Sequence, residues 1–486
     1  MSEIKNIKPT EVWSIFEQMT QIPRPSNHED KIQDWAVKYG KDLGLETIKD
    51  EVGNVIIRKP ASSGMEDCKG VIFQGHLDMV PQKNSDKEHD FVTDPIEAFV
   101  DGDWVTANGT TLGADNGIGV SSALAVMASK TIKHGPLEVL LTATEETGMD
   151  GAMGLKAGVL QGDILINTDT EDEGTFSIGC AGGIDVVSTF KNKLSKKLPK
   201  SSTAFKLSVT GLKGGHSGVD IHLGRGNANK IFFRILKEAK EKFGVRLADI
   251  QGGSLRNAIP REAFGIVLVR TKKTAELESL VNQIAETVKV ELENVEPDLN
   301  ITLETTDLPK RIMSKSLQKK LTNAVWAAPN DVVRMSDTMP GTVETSTNLA
   351  IVKSDKKKVE VCCLVRSFSE SAKMALASRL ESVFELAGAK VLKEGSYPGW
   401  KPNVKSEILD VMKGLYEKQF GKKPELLAMH AGLECGILGA TYTNWDMISI
   451  GPTIKFPHSP DEKVNIETVQ KYWDFLINVL ENTPRK

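Results

Sequence analysis

The chain has 486 residues, which is too long for one ordinary core, so we expect two domains. Its net charge of −4 and the lack of a basic run argue against nucleic acid as a partner. No apolar run is long enough to span a bilayer, and residues 1–5 lack the apolar core of a signal peptide. The five cysteines show no Cys-x-x-Cys pattern and are expected to be reduced, so we predict a cytoplasmic protein that binds no membrane.

The predicted elements begin with helices between residues 9 and 43, interrupted by the prolines in 22–26, and a strand over 52–57. The apolar run of residues 71–73 then leads into His76 and Asp78. Side chains alternate along a strand, so these two side chains should point the same way. The imidazole could bind a metal and the carboxylate could orient it, although His-x-Asp alone is a weak signal.

A glycine-rich stretch, residues 111–119 (TLGADNGIG), carries Asp115 and precedes a small, apolar helix predicted over 120–128. Aspartate is a common helix N-cap, and Asp115 fits that role. It equally fits a metal ligand, because flexible glycines permit close approach. Both interpretations stay open at this point of the chain.

Two further strands lead directly into carboxylates. The strand predicted over 137–144 is followed by Glu145 and Glu146, and the strand predicted over 163–169 ends in an aspartate, Asp169. Strands alternating with helices favour a mainly parallel α/β sheet, whose site lies at the carboxyl edge of the strands. Several unpaired carboxylates beside a histidine at one edge predict a bound cation.

From about residue 184 the pattern changes to strands and long amphipathic helices, among them helices predicted over 227–243 and 274–295. Pairs of strands with intervening helices favour an α+β domain of the split βαβ kind. A turn-rich linker follows near 394–400, and the remaining chain returns to α/β character. The predicted division is one domain in two parts with a second domain inserted between them: 1–183 and 396–486, with 184–395 inserted.

His458 follows a predicted strand over 447–451 and is interpreted as a further ligand rather than a surface loop histidine. Two histidines with three or more carboxylates exceed the needs of one catalytic zinc. They suit two ions about 3.5–4 Å apart with a bridging carboxylate, which lower the pKa of a bound water and polarise a substrate carbonyl. Either Glu145 or Glu146 could then be the general base, both could be ligands, or one could serve the start of a helix.

Four short motifs together resemble those of a known family: residues 75–80 (GHLDMV), 113–117 (GADNG), 144–146 (TEE) and 457–459 (PHS). In order and spacing they are similar to the co-catalytic zinc peptidases that include aminoacylases, carboxypeptidase G and the carnosinases. The resemblance covers essentially the whole chain, and the ordered set is far more specific than any single motif. It implies a mainly parallel α/β zinc-peptidase catalytic domain with an inserted α+β lid domain.

The resemblance also implies a role for each matching residue. It implies two Zn²⁺ per chain, bridged by Asp115 and held by five ligands: His76, Asp115, Glu146, Asp169 and His458. Asp78 would fix the ring of His76, and Glu145 would be the general base that returns the proton to the leaving amine. A cis peptide bond between Asp115 and Asn116 is implied as well. Cobalt or manganese would also bind such a site.

Four residues outside the metal cluster match substrate-contacting positions. His216, in residues 214–218 (GGHSG), would donate to the developing oxyanion. Arg366 would clamp the substrate's terminal carboxylate, the alternative being a plain surface arginine. Asn257 would contact the substrate with its side chain and Gly432 with its backbone. The remaining ambiguous histidines are left out of the metal shell: His222 and His430.

The overall resemblance implies hydrolysis of Xaa-His dipeptides such as carnosine (β-alanyl-histidine) by a homodimer whose lid closes over small dipeptide substrates. It leaves open whether His216 serves its own site or that of the partner. Nothing in the motifs selects histidine, so a di- or tripeptidase of broader specificity, or an N-acyl-amino-acid amidohydrolase, is the nearest alternative. A non-catalytic metal- or peptide-binding protein is the alternative from another class, and the presence of Glu145 argues against it.

Overall fold

The computed structural model describes residues 4–486. Residues 1–3 lie outside the described residues. They belong to the N-terminal segment for which we predict no signal peptide. Among the described residues, no helix combines the length and the apolar character that a bilayer-spanning helix needs. The described residues form these α-helices: α1 (Thr10–Thr20), α2 (Asp30–Asp42), α3 (Ala114–Ala128), α4 (Glu145–Gly148), α5 (Asp150–Gly154), α6 (Ala228–Phe243), α7 (Thr274–Glu291), α8 (Lys315–Ala327), α9 (Glu370–Leu386), α10 (Glu407–Phe420), α11 (Glu434–Thr441) and α12 (Ile466–Glu481).

The strands of the described residues are numbered in chain order: β1 (Glu46–Lys49), β2 (Val55–Lys59), β3 (Val71–His76), β4 (Ala98–Asp101), β5 (Trp104–Ala107), β6 (Leu137–Thr142), β7 (Ile164–Asn167), β8 (Thr175–Cys180), β9 (Gly182–Lys191), β10 (Leu194–Ser195), β11 (Ser202–Thr210), β12 (Gly215–His216), β13 (Arg246–Gly252), β14 (Ala258–Ile259), β15 (Ala263–Arg270), β16 (Asn300–Thr306), β17 (Ile312–Met313), β18 (Asp331–Met335), β19 (Val343–Ser354), β20 (Lys358–Ser367), β21 (Lys390–Tyr397), β22 (Glu425–Met429), β23 (Asp446–Ser449), β24 (Ile454–Lys455) and β25 (Lys463–Asn465).

The chain folds into two compact units. The first unit comprises the described residues up to Gly179 together with Trp400–Ala428 and Leu433–Lys486, and the second comprises Cys180–Gly399 and Met429–Gly432. The chain therefore leaves the first unit after Gly179 and forms nearly all of the second, and it adds one further short segment, Met429–Gly432, after its return. The predicted fold class, an α/β part combined with an inserted α+β part, is confirmed.

An eight-stranded sheet is the centre of the first unit, in the order β1-β2-β6-β3-β7-β23-β8-β22. Its four middle strands are parallel, from β6 through β3 and β7 to β23. The pairs β1–β2, β2–β6 and β23–β8 are antiparallel, so the parallel strands form the middle of a mixed sheet. Every residue of β3, β6 and β7 is buried, which explains why these strands read as continuous apolar runs.

The strand register brings the functional stretches to one edge. His76, the last residue of β3, lies opposite Thr142, the last residue of β6. On its other side β3 pairs with β7, whose last residue, Asn167, lies two positions before Asp169. Chain segments that leave three adjacent parallel strands in the same direction therefore begin side by side.

The second unit is built on an antiparallel sheet in the order β16-β11-β15-β13-β19-β20-β9-β21, with β18 paired to β19. Helices α6 to α9 supply the apolar side chains that cover it, and the core includes Phe232, Phe233 and Phe384. The helix predicted over 227–243 is confirmed as α6, which the Asn227 side chain caps by accepting from the backbone N–H of Lys230.

Several predicted boundaries differ from the structure by a few residues, and two of them have a clear local reason. The strand predicted over 52–57 begins only at Val55, because the preceding residues form a turn in which Gly53 has a φ of 92°. The helix predicted over 120–128 begins at Ala114, although Asp115 and Asn116 within it have non-helical backbone angles. The peptide bond between those two residues is cis, as the family resemblance implies.

Candidate metal centre and active site

The imidazole of His76 has carboxylates on both sides. Its Nδ1 lies 3.1 Å from the backbone oxygen of Asp78 and 3.4 Å from Oδ1 of the same residue. Its Nε2 lies 3.1 Å from Oδ1 of Asp115 and 3.4 Å from Oδ1 of Asp169. If Nδ1–H donates to Asp78, the lone pair of Nε2 points at two carboxylates, and only a cation can satisfy all three groups.

In the metal-free protein, a proton on Nε2 of His76 can satisfy the two carboxylates. Burial opposes the charged form, but the charge of Asp169 and the hydrogen bond with Asp115 raise the pKa of His76 well above its usual value. A metal ion would replace this proton and use the same lone pair. The arrangement therefore fits a ligand histidine.

The two carboxylate oxygens of Asp115 face two different histidines. Oδ1 faces His76, whereas Oδ2 lies 3.2 Å from Nε2 of His458. Burial would raise the pKa of Asp115, but the hydrogen bonds from the two histidines lower it instead. A carboxylate between two imidazoles, with one oxygen toward each, has the geometry of a bridging ligand.

His458 reaches the centre from outside the main sheet. It lies in the loop between β24 and β25, which belong to a separate four-stranded sheet, and its φ is 59°. Its Nε2 is 3.0 Å from Oε2 of Glu146, and hydrogen bonds to Asp115 and Glu146 raise its pKa to about 11. His458, a predicted ligand, is therefore brought to the carboxylates of Asp115 and Glu146, but by a loop rather than by a strand of the main sheet.

Glu146 provides a direct test of whether the residues fit a metal. Its Oε1 is buried and has no hydrogen-bond partner among the described residues. A buried carboxylate oxygen without a partner is costly unless a cation occupies the space beside it. Three overlapping groups have ligand atoms within 4.8 Å of one another: His76–Asp115–Asp169, His76–Glu145–Glu146 and Asp115–Glu146–His458.

This donor set, two imidazole nitrogens with several carboxylate oxygens, suits zinc and similar divalent metals. The overlap of the three groups through His76 and Asp115 gives two neighbouring positions rather than one. The five ligands expected from the sequence are all in this cluster. Their coordination of a metal pair is a prediction that the geometry supports.

Asp78 has a second task that the sequence did not reveal. Besides His76, its carboxylate accepts from the backbone N–H of Glu145 at 3.0 Å and of Glu146 at 3.2 Å, and from the Ser26 hydroxyl at 2.7 Å. Burial would raise its pKa, but the contacts with His76 and these donors lower it to about 2. One ionised carboxylate therefore fixes both the ring of His76 and the start of α4.

Glu145 and Glu146 begin α4 after a left-handed residue, Thr144, whose φ is 55°. Burial raises the pKa of Glu145 well above its usual value, and the charges of Asp169 and other carboxylates add to the effect. A buried carboxyl of raised pKa suits a general base. Because both glutamates lie in the same ligand group with His76, their division into base and ligand stays a prediction.

Glu462 is a buried residue at this centre that the sequence analysis missed. One of its oxygens accepts from the backbone N–H of Leu112 and Gly113 at 2.8 and 2.9 Å, and the other from Ala114 and Asp115 at 2.8 and 3.2 Å. Burial raises its pKa to about 7 despite these donors. A backbone-binding carboxylate has no sequence signature of its own, although Glu462 follows His458 by only four residues.

Arg24 is the second residue that the sequence analysis missed. Its guanidinium is buried and donates to the backbone oxygens of Leu77 at 2.9 Å, of Asp78 at 3.0 Å and of Gly113. It therefore ties the end of the His76 strand to the loop that carries Asp115. In the sequence, the residues around it show only a proline-rich break between helices.

The other predicted site residues lie in the second unit. His216 Nδ1 accepts from the backbone N–H of Gly218 and Val219 at 3.3 and 3.0 Å, so its proton is on Nε2 when the ring is neutral. Burial and the charge of Arg366 lower the pKa of His216 to about 4, which keeps it neutral near pH 7. His216 can therefore donate from Nε2 to an oxygen.

Arg366 lies beside His216, with its Nη2 3.4 Å from Nε2 of the histidine. The guanidinium is almost fully buried and donates from Nη1 to the hydroxyl of Tyr397 at 2.9 Å, so it is not a plain surface arginine. Its buried Nε has no partner among the described residues, which leaves donor capacity for an anion.

Asn257 and Gly432 complete the predicted set. Asn257 is exposed, and its backbone oxygen accepts from Ser217, next to His216. Gly432 is half-buried and ends the short segment Met429–Gly432, which the backbone N–H of Ala181 holds by donating to two of its carbonyl groups. The structure thus groups His216, Arg366 and the backbone of Asn257 within one unit.

Known proteins match this chain over its whole length. The model of peptidase family M20/M25/M40 matches residues 72–482. The cytosol non-specific dipeptidase of Escherichia coli (strain K12) is 48% identical over 486 residues, which cover 100% of both chains. The crystal structure of aminoacylhistidine dipeptidase from Vibrio alginolyticus matches with a TM-score of 0.95 and 49% identity, covering 100% of this chain and 99% of that chain.

A more distant match concerns the fold alone. The crystal structure of aminopeptidase PepT from Bacillus cereus has a TM-score of 0.57 at 16% identity, covering 98% of this chain and 99% of that chain.

Proposed function

The chain belongs to the peptidase family M20/M25/M40, and from that premise we propose that it is a dipeptidase that works with two metal ions. The observation that carries this proposal is the position of Asp115, whose two oxygens face His76 on one side and His458 on the other. Two metal positions that share a carboxylate are the arrangement used for hydrolysis by aminopeptidases. The names of the full-length relatives, both dipeptidases, agree with it.

The proposed ligands are those expected from the sequence: His76, Asp115, Glu146, Asp169 and His458. Metal ions held there would lower the pKa of a water and polarise the scissile carbonyl. The donor set favours zinc, with cobalt or manganese as substitutes. Asp78 would keep Nδ1 of His76 protonated, which would leave the lone pair of Nε2 available to hold a metal ion.

Proton transfer is assigned to Glu145. Its buried carboxylate takes the proton of the attacking water and delivers it to the leaving amine. We further propose that the second unit is the lid, and that His216 donates from Nε2 to the developing oxyanion. Arg366 binds the terminal carboxylate of the dipeptide, and Asn257 and the backbone of Gly432 contact the rest of the substrate.

The substrate is proposed to be an unblocked dipeptide, with Xaa-His dipeptides such as carnosine among those hydrolysed. The relative from Vibrio alginolyticus is named an aminoacylhistidine dipeptidase. The relative from Escherichia coli is named a non-specific dipeptidase, which favours a pocket that accepts further side chains. The same relative is named a cytosol enzyme, and we propose a cytoplasmic location for this chain. We also propose that the chain forms a homodimer, as the family resemblance of the sequence implies.

A substrate panel tests the proposal. Purified enzyme with added zinc is given carnosine, Leu-His, Leu-Leu, a tripeptide and N-acetyl-leucine, and the released amines are measured. We expect fast hydrolysis of the dipeptides and little or none of the tripeptide and the blocked amino acid. If N-acetyl-leucine were hydrolysed far faster than every dipeptide, the chain would be an amidohydrolase instead.

A further inference from the structure

A cavity of about 580 Å³ in the second unit is unusually basic. Of its fourteen lining residues, eight are lysine or arginine and none is acidic. The cations come from the end of α6, the start of β13, the end of β15 with the segment that joins it to α7, and the start of α8. This cluster stands out because the chain as a whole has a net charge of −4.

Most of these cations have no counter-charge. Lys242 and Lys273 each pair with a glutamate three or four residues away, at 3.1 and 2.8 Å. Arg246 donates to Gln318 and to a backbone oxygen, both uncharged. The remaining five form no ion pair with any described residue: Lys240, Arg270, Lys272, Lys315 and Lys319. The cavity therefore keeps several positive charges that repel one another.

Ordinary helix stabilisation explains only part of this pattern. Lys240 and Lys242 lie in the last turn of α6, where cations favour the helix dipole. Lys315 and Lys319 lie at the beginning of α8, whose first turn has no acidic residue, and Lys272 lies just before α7. Cations at the N-terminal end of a helix are unfavourable, and a bound anion would turn this repulsion into attraction.

We propose that this cavity binds a small polyphosphate, either a nucleoside triphosphate or an inorganic polyphosphate chain. Five unpaired cations match the three to four negative charges of such a chain, and lysine and arginine are the side chains that bind phosphate oxygens. A volume of about 580 Å³ exceeds what one phosphate ion needs and is in the usual range of ligand pockets. Phe243, which is half-buried, gives the cavity an apolar side chain against which a base could pack.

The test measures binding of inorganic tripolyphosphate and of ATP to the full-length protein by isothermal titration calorimetry, in low and in high salt. Arg270→Glu combined with Lys319→Glu reverses two of the unpaired charges. Lys356→Glu combined with Lys357→Glu is the matched control, because it makes the same change of charge in an exposed turn of the same unit. Metal content before and after titration shows whether the phosphates merely remove ions from the metal centre.

We expect one polyphosphate per chain, binding that weakens strongly with salt, and roughly tenfold or greater loss of affinity in the cavity variant. The control variant should stay within about twofold of the original protein. Arg270→Ala with Lys319→Ala keeps the test valid if the charge reversal disturbs folding, and hydrolysis of a dipeptide reports folding of each variant. Tighter binding of ATP than of tripolyphosphate identifies a nucleotide, and equal binding identifies the phosphate chain alone.

Three results would overturn the proposal. One is no heat of binding with either compound at millimolar concentration in low salt. Another is affinity that is unchanged in both cavity variants, which would place the phosphates elsewhere, including at the metal centre. The third is much tighter binding of a single-stranded oligonucleotide than of either small compound, since the surface would then serve a nucleic acid.

Discussion

The carboxylate of Glu462 is hydrogen bonded to the backbone N–H of Asp115, the residue whose side chain lies between His76 and His458. The same carboxylate holds the three preceding N–H groups, so it fixes the whole loop that leads to Asp115. Because it lies in the same loop as His458, one segment both carries one proposed ligand and positions another.

Glu462→Gln should therefore weaken metal binding without touching a ligand. The amide has only one acceptor oxygen, and its NH₂ group would face backbone N–H donors. Loss of such a positioning contact costs about 10–100-fold in metal affinity or activity. Zinc affinity is measured by competition with a chromophoric chelator. Glu467→Gln is the matched control, because Glu467 is exposed and pairs with Lys471 at 2.7 Å. Equal affinities in both variants would argue against the positioning role.

Glu145→Ala should keep the metal while losing turnover. Removing a general base lowers the rate by about 10²–10⁴-fold, whereas the proposed ligands stay in place. Metal content is measured by plasma emission spectroscopy and kcat with carnosine. The companion variant, Glu146→Ala, should lose metal as well as activity. The opposite pattern, with metal lost only from Glu145→Ala, would exchange the roles of the two glutamates.

Metal stoichiometry tests the bridging role of Asp115. Chelator-treated protein should be inactive, and titration with zinc should restore activity as two equivalents bind to each chain. His458→Ala removes a ligand from one side of the bridge and should lower the stoichiometry to about one, as His76 and Asp169 remain. One equivalent in the unaltered protein would contradict a shared metal pair.

The sequence predicted which residues the structure brings together in the candidate metal centre, because these residues are of recognisable types. A histidine and carboxylates that directly follow apolar runs can be recognised in the sequence. The parallel strands in the middle of the sheet then bring these residues together at one edge. Arg24 and Glu462 were not predictable in this way. Both side chains bind backbone groups of loops. Nearly every residue has a backbone N–H and a carbonyl, so such a contact does not require a particular residue type in the partner.

The same reasoning explains the other surprises. The basic cavity draws its cations from four separate segments, so no basic run appears in the sequence. The helix that begins at Ala114 contains two residues with non-helical angles, which no apolar periodicity encodes. Long amphipathic helices such as α6 were predictable, because their apolar stripe and their Asn227 cap are local features.

Arg366→Met should raise KM for dipeptides with a free carboxylate while changing kcat less. The guanidinium is nearly buried and holds an unpaired Nε, so its substitution removes a charge that solvent does not screen. Loss of a charge-assisted hydrogen-bonded contact costs about 1.5–3 kcal/mol, or roughly 10–150-fold. Steady-state kinetics with a dipeptide and its C-terminal amide give the comparison. If the amide lost as much as the free acid, Arg366 would not bind the carboxylate.

The stability of the second unit should depend on His430. This histidine is buried, its Nε2 lies 2.8 Å from the Ser346 hydroxyl, and burial together with the charge of Arg366 lowers its pKa to about 3. An unfolded histidine takes up a proton below about pH 6.5, whereas the folded one stays neutral until about pH 3. The unfolded state then binds more protons, so the free energy of unfolding falls as pH falls through that window.

Well inside this pH window, His430 should lower the free energy of unfolding by about 1.4 kcal/mol for each pH unit of acidification. His430→Gln removes the titrating ring, so its free energy of unfolding should decline less steeply between pH 6 and 4. Urea unfolding in the presence of chelator measures both proteins without a contribution from metal release. Since the variant also loses a buried contact, its stability at pH 7 will be lower, and the test is the difference in slope. Parallel pH profiles would mean that His430 is already protonated in the folded protein at these pH values.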